Sequence, residues 1–214
     1  MIKEDLKKLL LSLHQDDFYK NVDLHIHSYE SDGKLSPLEI VKQAKARNLK
    51  YIAVSDHNSL DAYLNTNILV EEMVIPAVEF DCFYKGTLLH ILGYGIDIDN
   101  KDLRNLCAKT KAGKTFNIVR LLQLRSPKTV IDVIKKAGGI AVWAHPACCW
   151  SFSLDKMTRE LIELGLEGME VYYPYNGLRG VLKFYSRKYV MELAEKYNLI
   201  KTGGTDSHGI DLLN

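Results

Sequence analysis

Short apolar runs of strand length recur along this chain, separated by segments with helical spacing. Residues 22–27, 50–55, 74–84, 87–96, 140–145, 167–172 and 199–203 read as strands. Residues 36–48, 59–71, 99–125, 126–139, 153–165 and 177–197 read as helices. SPLE at 36–39 is a helix start, with Ser36 as cap, Pro37 in the first turn and Glu39 closing a capping box. Lys85-Gly86 turns one strand directly into the next, which makes a hairpin. The helix at 126–139 opens with Ser126 as cap and Pro127 at its first position, and has Gly138 near its end. Strands alternating with helices imply a parallel α/β sheet around that hairpin, open or closed into a barrel.

The chain of 214 residues suits one domain with a small appendage. The appendage is residues 1–21, where Ile2, Leu6, Leu9, Leu10 and Leu13 give an amphipathic helix over 3–14. A net charge of +1 excludes the basic excess of a general nucleic-acid binder. No apolar run approaches the roughly 20 residues of a membrane span, and the N-terminus has no signal-peptide pattern. Cys82, Cys107, Cys148 and Cys149 show no CxxC spacing, so reduced thiols in the cytoplasm are expected.

Within the first strand, DLHIHSYESDG at 23–33 alternates. Asp23, His25 and His27 share one face, and Leu24 and Ile26 take the other. Of seven histidines, all except His14 lie within or at the end of an expected strand: His25, His27, His57, His90, His145 and His208. Glu79 lies in PAVEFD, Asp206 precedes His208 by two, and Asp32 follows the first strand. Chemistry in parallel α/β folds sits at such strand ends. Imidazoles and carboxylates gathered together need a counter-charge, which divalent metals supply. Nine candidate ligands exceed what one tetrahedral ion takes and suit two or three. A bridging carboxylate such as Glu79 or Asp206 would hold two ions with an acidic water between them.

These runs, with SDHN at 55–58, VEF at 78–80, LHILGYGID at 89–97, AGGIAVWAHP at 137–146 and GGTDSHG at 203–209, closely resemble the PHP (polymerase and histidinol phosphatase) superfamily. The resemblance implies a metal-dependent phosphoesterase on a distorted (β/α)7 barrel, spanning 22–214 here. Asp32 and the HILGY stretch look most like the stand-alone members acting on nucleotides and oligonucleotides. The implied ligands are His25, His27, Glu79 and Asp206 for a first ion. Glu79, His90 and His145 would hold a second, and Asp32, His57 and His208 a third. Glu79, Asp206 and His208 would serve the reaction directly. Asp23 and Asp56, close to ligand histidines, are expected to orient imidazoles. The donor set suits Zn, Mn and Fe alike.

Such relatives usually insert a helical cap before the AGG-AHP strand. Here that span is only about 95–137, which implies a shortened cap and an open site. Lys111, Lys114, Arg120 and Arg125 within it are candidate phosphate contacts. Tyr172, Tyr173 and Tyr175 could stack on a base, or simply pack together; Cys148 and Cys149 follow the His145 loop. The expected partner is a small phosphorylated substrate or short oligonucleotide, without membrane or long-duplex binding. The alternatives are a metal-dependent amidohydrolase, which often has a metal-bridging lysine not matched by Lys50 or Lys201, and a non-catalytic metal-binding module, which would have lost ligands.

Overall fold

The structure, a computed structural model, describes residues 2–123, 125–175 and 183–212. Two sheets form its centre. Strands β1 (Val22–Ile26) and β2 (Tyr51–Val54) pair in parallel. The larger sheet runs β3 (Ala77–Tyr84), β4 (Thr87–Tyr94), β5 (Ile140–Ala144), β6 (Gly168–Tyr172) and β7 (Ile200–Gly203). Its β3–β4 and β4–β5 pairs are antiparallel, and its β5–β6 and β6–β7 pairs are parallel. The hairpin at Lys85-Gly86 therefore reverses β4, and the sheet is mixed where an otherwise parallel one was expected.

Isolated bridges join the margins of the two sheets. Ile52 pairs with Val74 and His57 with Glu79 on one side, and Ile26 pairs with Ser207 on the other. Backbone bonds repeat both joints. Asn58 N donates to Glu79 O at 2.8 Å, and Asp206 N donates to His25 O at 2.7 Å.

Helices cover the sheets with their apolar faces. α1 (Lys3–Ser12) buries Leu6 and Leu10, and α2 (Pro37–Ala46) buries Ile40, Val41 and Ala44. α2 begins with the expected capping box, Glu39 N donating to Ser36 Oγ at 3.1 Å and Ser36 N to Glu39 Oε2 at 2.8 Å. The expected 59–71 helix shrinks to α3 (Asp61–Leu64) and a 3-10 turn at Ile68–Val70. The expected 99–125 helix breaks into α4 (Lys101–Leu106), α5 (Ala112–Thr115) and α6 (Asn117–Leu121), because this polar run carries no continuous apolar stripe.

α7 (Pro127–Lys136) starts with Pro127, but Ser126 makes no side-chain cap bond. α8 (Leu154–Glu163) and α9 (Arg187–Lys196) complete the outer layer. The expected 177–197 helix lies in part, at 177–182, outside the described residues.

The joint between β1 and β7 is close-packed at Gly204. A Cβ there would stand 2.3 Å from His25 N and 2.5 Å from its Cβ. Gly204→Ala must push β1 aside. The expected cost is about 2–3 kcal/mol, the upper range for overpacking. Urea unfolding of the metal-stripped protein checks it, and an unchanged midpoint would refute the tight joint.

Candidate metal centre

β1 is buried on both faces. Leu24 and Ile26 enter the apolar core, while His25 and His27 turn toward a cluster of acids. Glu79 reaches that cluster from β3, His90 from β4 and His145 from the end of β5. Asp32 and His57 arrive on the loops after β1 and β2, and Asp206 and His208 on the loop after β7. All nine sequence-predicted residues thus converge. Asp32, His57, Glu79, His90, His145, Asp206 and His208 line one open cavity of about 510 Å³, with Arg120, Cys148, Tyr173 and Phe184. His25 and His27 form the buried floor beneath it.

Glu79 is the hub. Its Oε1 lies 2.9 Å from His90 Nδ1 and 3.1 Å from His145 Nε2. Its Oε2 stands 3.2–3.3 Å from His25 Nε2, His27 Nε2 and His57 Nδ1. Yet that oxygen is buried and has no hydrogen-bond partner among the described residues. An unsatisfied carboxylate oxygen surrounded by imidazole nitrogens is a donor set that suits a cation. Asp206 Oδ1 lies 3.0 Å from His27 Nε2 and 3.5 Å from His25 Nε2, so these three side chains and Glu79 face one another. Three groups here have donor atoms within 4.8 Å of one another: His25, His27 and Asp206; His57, Glu79 and His90; and His27, Asp32, His57 and His208. The residues present therefore fit divalent ions, with nitrogen and oxygen donors suited to Zn, Mn or Fe.

Several groups orient these ligands. His25 Nδ1 lies 2.9 Å from Glu170 Oε1, while Glu170 Oε2 accepts from His145 N at 2.8 Å. His90 Nε2 lies 3.1 Å from Asp81 Oδ1. Tyr173 OH donates to Asp206 Oδ2 at 2.7 Å. Glu170 and Asp81 escaped the sequence reading, although each is an acid inside an otherwise apolar strand, and Asp81 shares the face of Glu79. Asp23 and Asp56 bond to backbone and hydroxyl groups. Asp56 accepts from Ser28 N at 2.7 Å and from Ser28 Oγ and Ser31 Oγ at 2.6 Å. Asp23 accepts from Thr205 N at 2.9 Å and Thr205 Oγ1 at 2.7 Å. They fasten the loops that carry the candidate ligands, and these hydrogen bonds go to no imidazole.

The other candidates separate. Arg120 is buried in the centre, contacting Asp32, His57 and Asp81. Lys114 turns away to Asp61, and Arg125 to Leu106 O at 3.0 Å and Gln123. Lys111 is exposed. Tyr172 is buried and stacks on Phe18 at 4.8 Å, while Tyr173 packs 4.8 Å from Tyr175. Cys148 lines the cavity wall and Cys149 is buried behind it. His145, Asp206 and Asn58 all have positive φ, at 29°, 50° and 51°. Such backbone is costly for side-chain-bearing residues and clusters at functional sites.

Residues 23–174 match the PHP domain. The chain belongs to the PHP domain family. A phosphoribosyl 1,2-cyclic phosphate 1,2-diphosphodiesterase of Eggerthella lenta is 25% identical over 254 aligned positions, which cover 87% of this PHP chain and 94% of that relative. A 5'-3' exoribonuclease of Haemophilus influenzae is 33% identical across 56% of the chain, and a 3',5'-nucleoside bisphosphate phosphatase of Chromobacterium violaceum is 35% identical across 36% of it. The matches span 41% and 28% of those two relatives, less than half of either. The fold is shared with an amidohydrolase structure from Chromobacterium violaceum (TM-score 0.73, 20% identity, 88% of both chains). It is also shared with a structure from Bifidobacterium adolescentis described provisionally as a metal-dependent phosphoesterase (TM-score 0.72, 18% identity, 92% of this chain and 90% of that one).

The electrostatics of this PHP centre without metal are lopsided. Burial opposes charging His27 and His90, but the surrounding acids outweigh it, raising His27 to about 9 and His90 to about 10. Burial likewise opposes charging Glu79 and Asp206, yet the nearby histidines hold both well below the usual carboxylate range. His57 goes the other way, pushed down by burial, with His27 and Arg120 reinforcing it.

A histidine raised above its unfolded value of about 6.5 stabilises the fold fully below that pH and loses this as pH climbs through the folded value. The metal-stripped protein should therefore show a falling thermal midpoint from about pH 7 to about pH 10. Saturating Mn²⁺ should flatten the fall, since coordination requires neutral rings. Scanning fluorimetry at several pH values checks this, and a midpoint rising over that range without metal would contradict it. Glu170→Gln should weaken metal affinity about 10–100-fold while the fold survives; a metal titration with unchanged affinity would remove Glu170 from its orienting role.

Proposed function

We propose that this chain is a metal-dependent phosphoesterase that hydrolyses small phosphate esters, with nucleotides or short oligonucleotides as the substrate class. The observation that carries the reading is the convergence on Glu79, whose buried, unpartnered Oε2 faces three imidazole nitrogens at 3.2–3.3 Å. Family membership and the names of three phosphoester-cleaving relatives support the bond type. The orphaned buried oxygen favours a loaded, working centre over a non-catalytic module that has lost its ligands.

His25, His27, Glu79 and Asp206 would hold a first ion, and Glu79, His90 and His145 a second. Asp32, His57 and His208 form an adjoining set. Bound ions would supply a water acidic near neutral pH and Lewis-acid stabilisation of the phosphoryl oxygens. The chain's own residues do the rest. Glu170 fixes His25 through Nδ1 and so turns Nε2 toward Glu79 and Asp206. Tyr173 holds Asp206 Oδ2, leaving Oδ1 toward the two histidines of β1. His208, half-buried at the cavity wall, is placed to touch a substrate, with Nδ1 held 2.8 Å from Asp206 O.

A distorted seven-stranded barrel is the architecture we infer, supported by the bridges joining β2 to β3 and β1 to the segment after β7. A shortened cap at about 95–137 is part of the same reading, and the Eggerthella alignment, with 254 positions against this chain's 214 residues, shows that the relative carries insertions. Among the described residues no helix is long and apolar enough to cross a membrane. The four free thiols suit a cytoplasmic setting.

The test is a panel assay on protein stripped of metal and reloaded with Mn²⁺ or Zn²⁺. It should cleave nucleoside bisphosphates, cyclic nucleotide phosphates or short oligoribonucleotides, and a chelator should abolish turnover. Asp206→Asn should lower kcat about 100–1,000-fold, the scale seen when one electrostatic contributor is lost. Amide cleavage without phosphate-ester cleavage would overturn the proposal in favour of the amidohydrolase reading.

A further inference from the structure

The cavity over the metal centre has walls of two kinds. Candidate ligands and Arg120 make up its charged part, and Cys148, Tyr173 and Phe184 complete the lining. These last three gather on the β5–β6 side. Tyr173 directly follows β6, and Cys148 lies on the turn after β5. Phe184 is fastened to that same turn, since Phe184 N and Tyr185 N both donate to Ala147 O, at 2.8 and 3.2 Å. Tyr185 OH donates to Ser151 O a few residues further along. Two residues after Phe184, Ser186 Oγ accepts from Tyr189 N at 3.1 Å and caps α9. The Phe184 backbone is thus held between the loop that carries His145 and the start of a helix.

These bonds fix the backbone without burying the ring. Phe184 stays 52% exposed, and among the described residues lining the cavity it is the one large apolar side chain so exposed. The tyrosines after β6 are closed in by comparison. The Tyr173 ring packs 5.1 Å from His145 and 4.8 Å from Tyr175, and its hydroxyl donates to Asp206. Tyr172 is covered by Phe18. An apolar residue scattered on a surface is ordinary. An aromatic ring held on the wall of this cavity is placed differently. With a phosphoryl group at the candidate ligands, the organic half of the ester has to lie along a wall, and the volume of about 510 Å³ is that of a site for a ligand larger than phosphate.

We propose that Phe184 is a stacking platform for the base of a nucleotide substrate. This rests on the phosphoesterase reading above and narrows it to esters that carry a planar aromatic base, in preference to base-free sugar phosphates. The phosphoryl group lies toward Glu79, His90 and His145, and the base lies against the Phe184 ring. Stacking is tolerant of base identity because every base has a π-face, so the platform accepts purines and pyrimidines alike.

The test measures binding, independently of turnover. The Mn²⁺-loaded protein is titrated calorimetrically with two phosphonates, in which carbon replaces the ester oxygen so that nothing is hydrolysed. One is the adenosine 5'-phosphonate, and the other is its base-free ribose counterpart. The wild-type chain should bind the adenosine compound about tenfold or more tightly than the ribose one, within the range of base–aromatic stacking. Phe184→Ala and Phe184→Leu should bring that ratio below about threefold, with affinity for the ribose compound and Mn²⁺ content unchanged, whereas Phe184→Trp should keep the wild-type preference. A wild-type chain with no preference for the base, a preference that survives Phe184→Ala, or a wild-type chain that binds neither compound would overturn the inference. A base preference that depends on Phe184, in a protein that cleaves no phosphate ester, would overturn the phosphoesterase reading and leave the platform standing.

Discussion

Glu79 is a buried carboxylate, placed at the middle of a strand and ringed by imidazoles. A bare charge in that position is strongly unfavourable unless opposing charge or coordination compensates it. Much of the surrounding architecture can be understood as that compensation. β1 and β2 bring His25, His27 and His57 to one oxygen, and β4 and β5 bring His90 and His145 to the other. The joint between β2 and β3 pairs the backbone of His57 with that of Glu79 itself, so the seam of the sheets and the hub of the site coincide. Rearranging one would disturb the other.

Much of the fold could be read from strand-length apolar runs because both faces of the strands are buried, and a run of that length and composition belongs in a core. The capping box at Ser36 was legible for a different reason, since two side chains three positions apart satisfy each other's backbone locally. The region at 99–125 was not. Its lysines and asparagines give no stripe to orient a helix, and tertiary contacts decide where it breaks. Gly113 is packed so closely that a Cβ would stand 2.8 Å from Gln123 Nε2, and Gln123 Nε2 donates to Gly113 O at 2.7 Å. Those are contacts between segments, which a local pattern does not carry.

The nine candidate ligands stood out because histidine is rare and strand ends are where it gathered. Their supporting residues were harder to see. Glu170 and Asp81 look like ordinary acids until burial is known, and burial of an acid in GMEVY or VEFDCF was the available signal. Arg120 was visible only as one basic residue among several. What separates it from Lys114 and Arg125 is the short α6, which lays its side chain across β3, whereas the other two find partners outside the cavity.

Asp23 and Thr205 are bonded across 182 positions of sequence, at the same place where His25 meets Asp206. The centre therefore belongs to both ends of the described chain at once. Closing so long a loop removes much of the freedom of the unfolded polypeptide, though the cost grows only with the logarithm of its length. Any ion shared by His25, His27 and Asp206 would act as a reversible cross-link over that loop, with the thermodynamic character of a disulfide but set by free metal concentration. A truncated or still-growing chain that lacks β7 has no Asp206 to offer, so that cross-link would wait for the last strand.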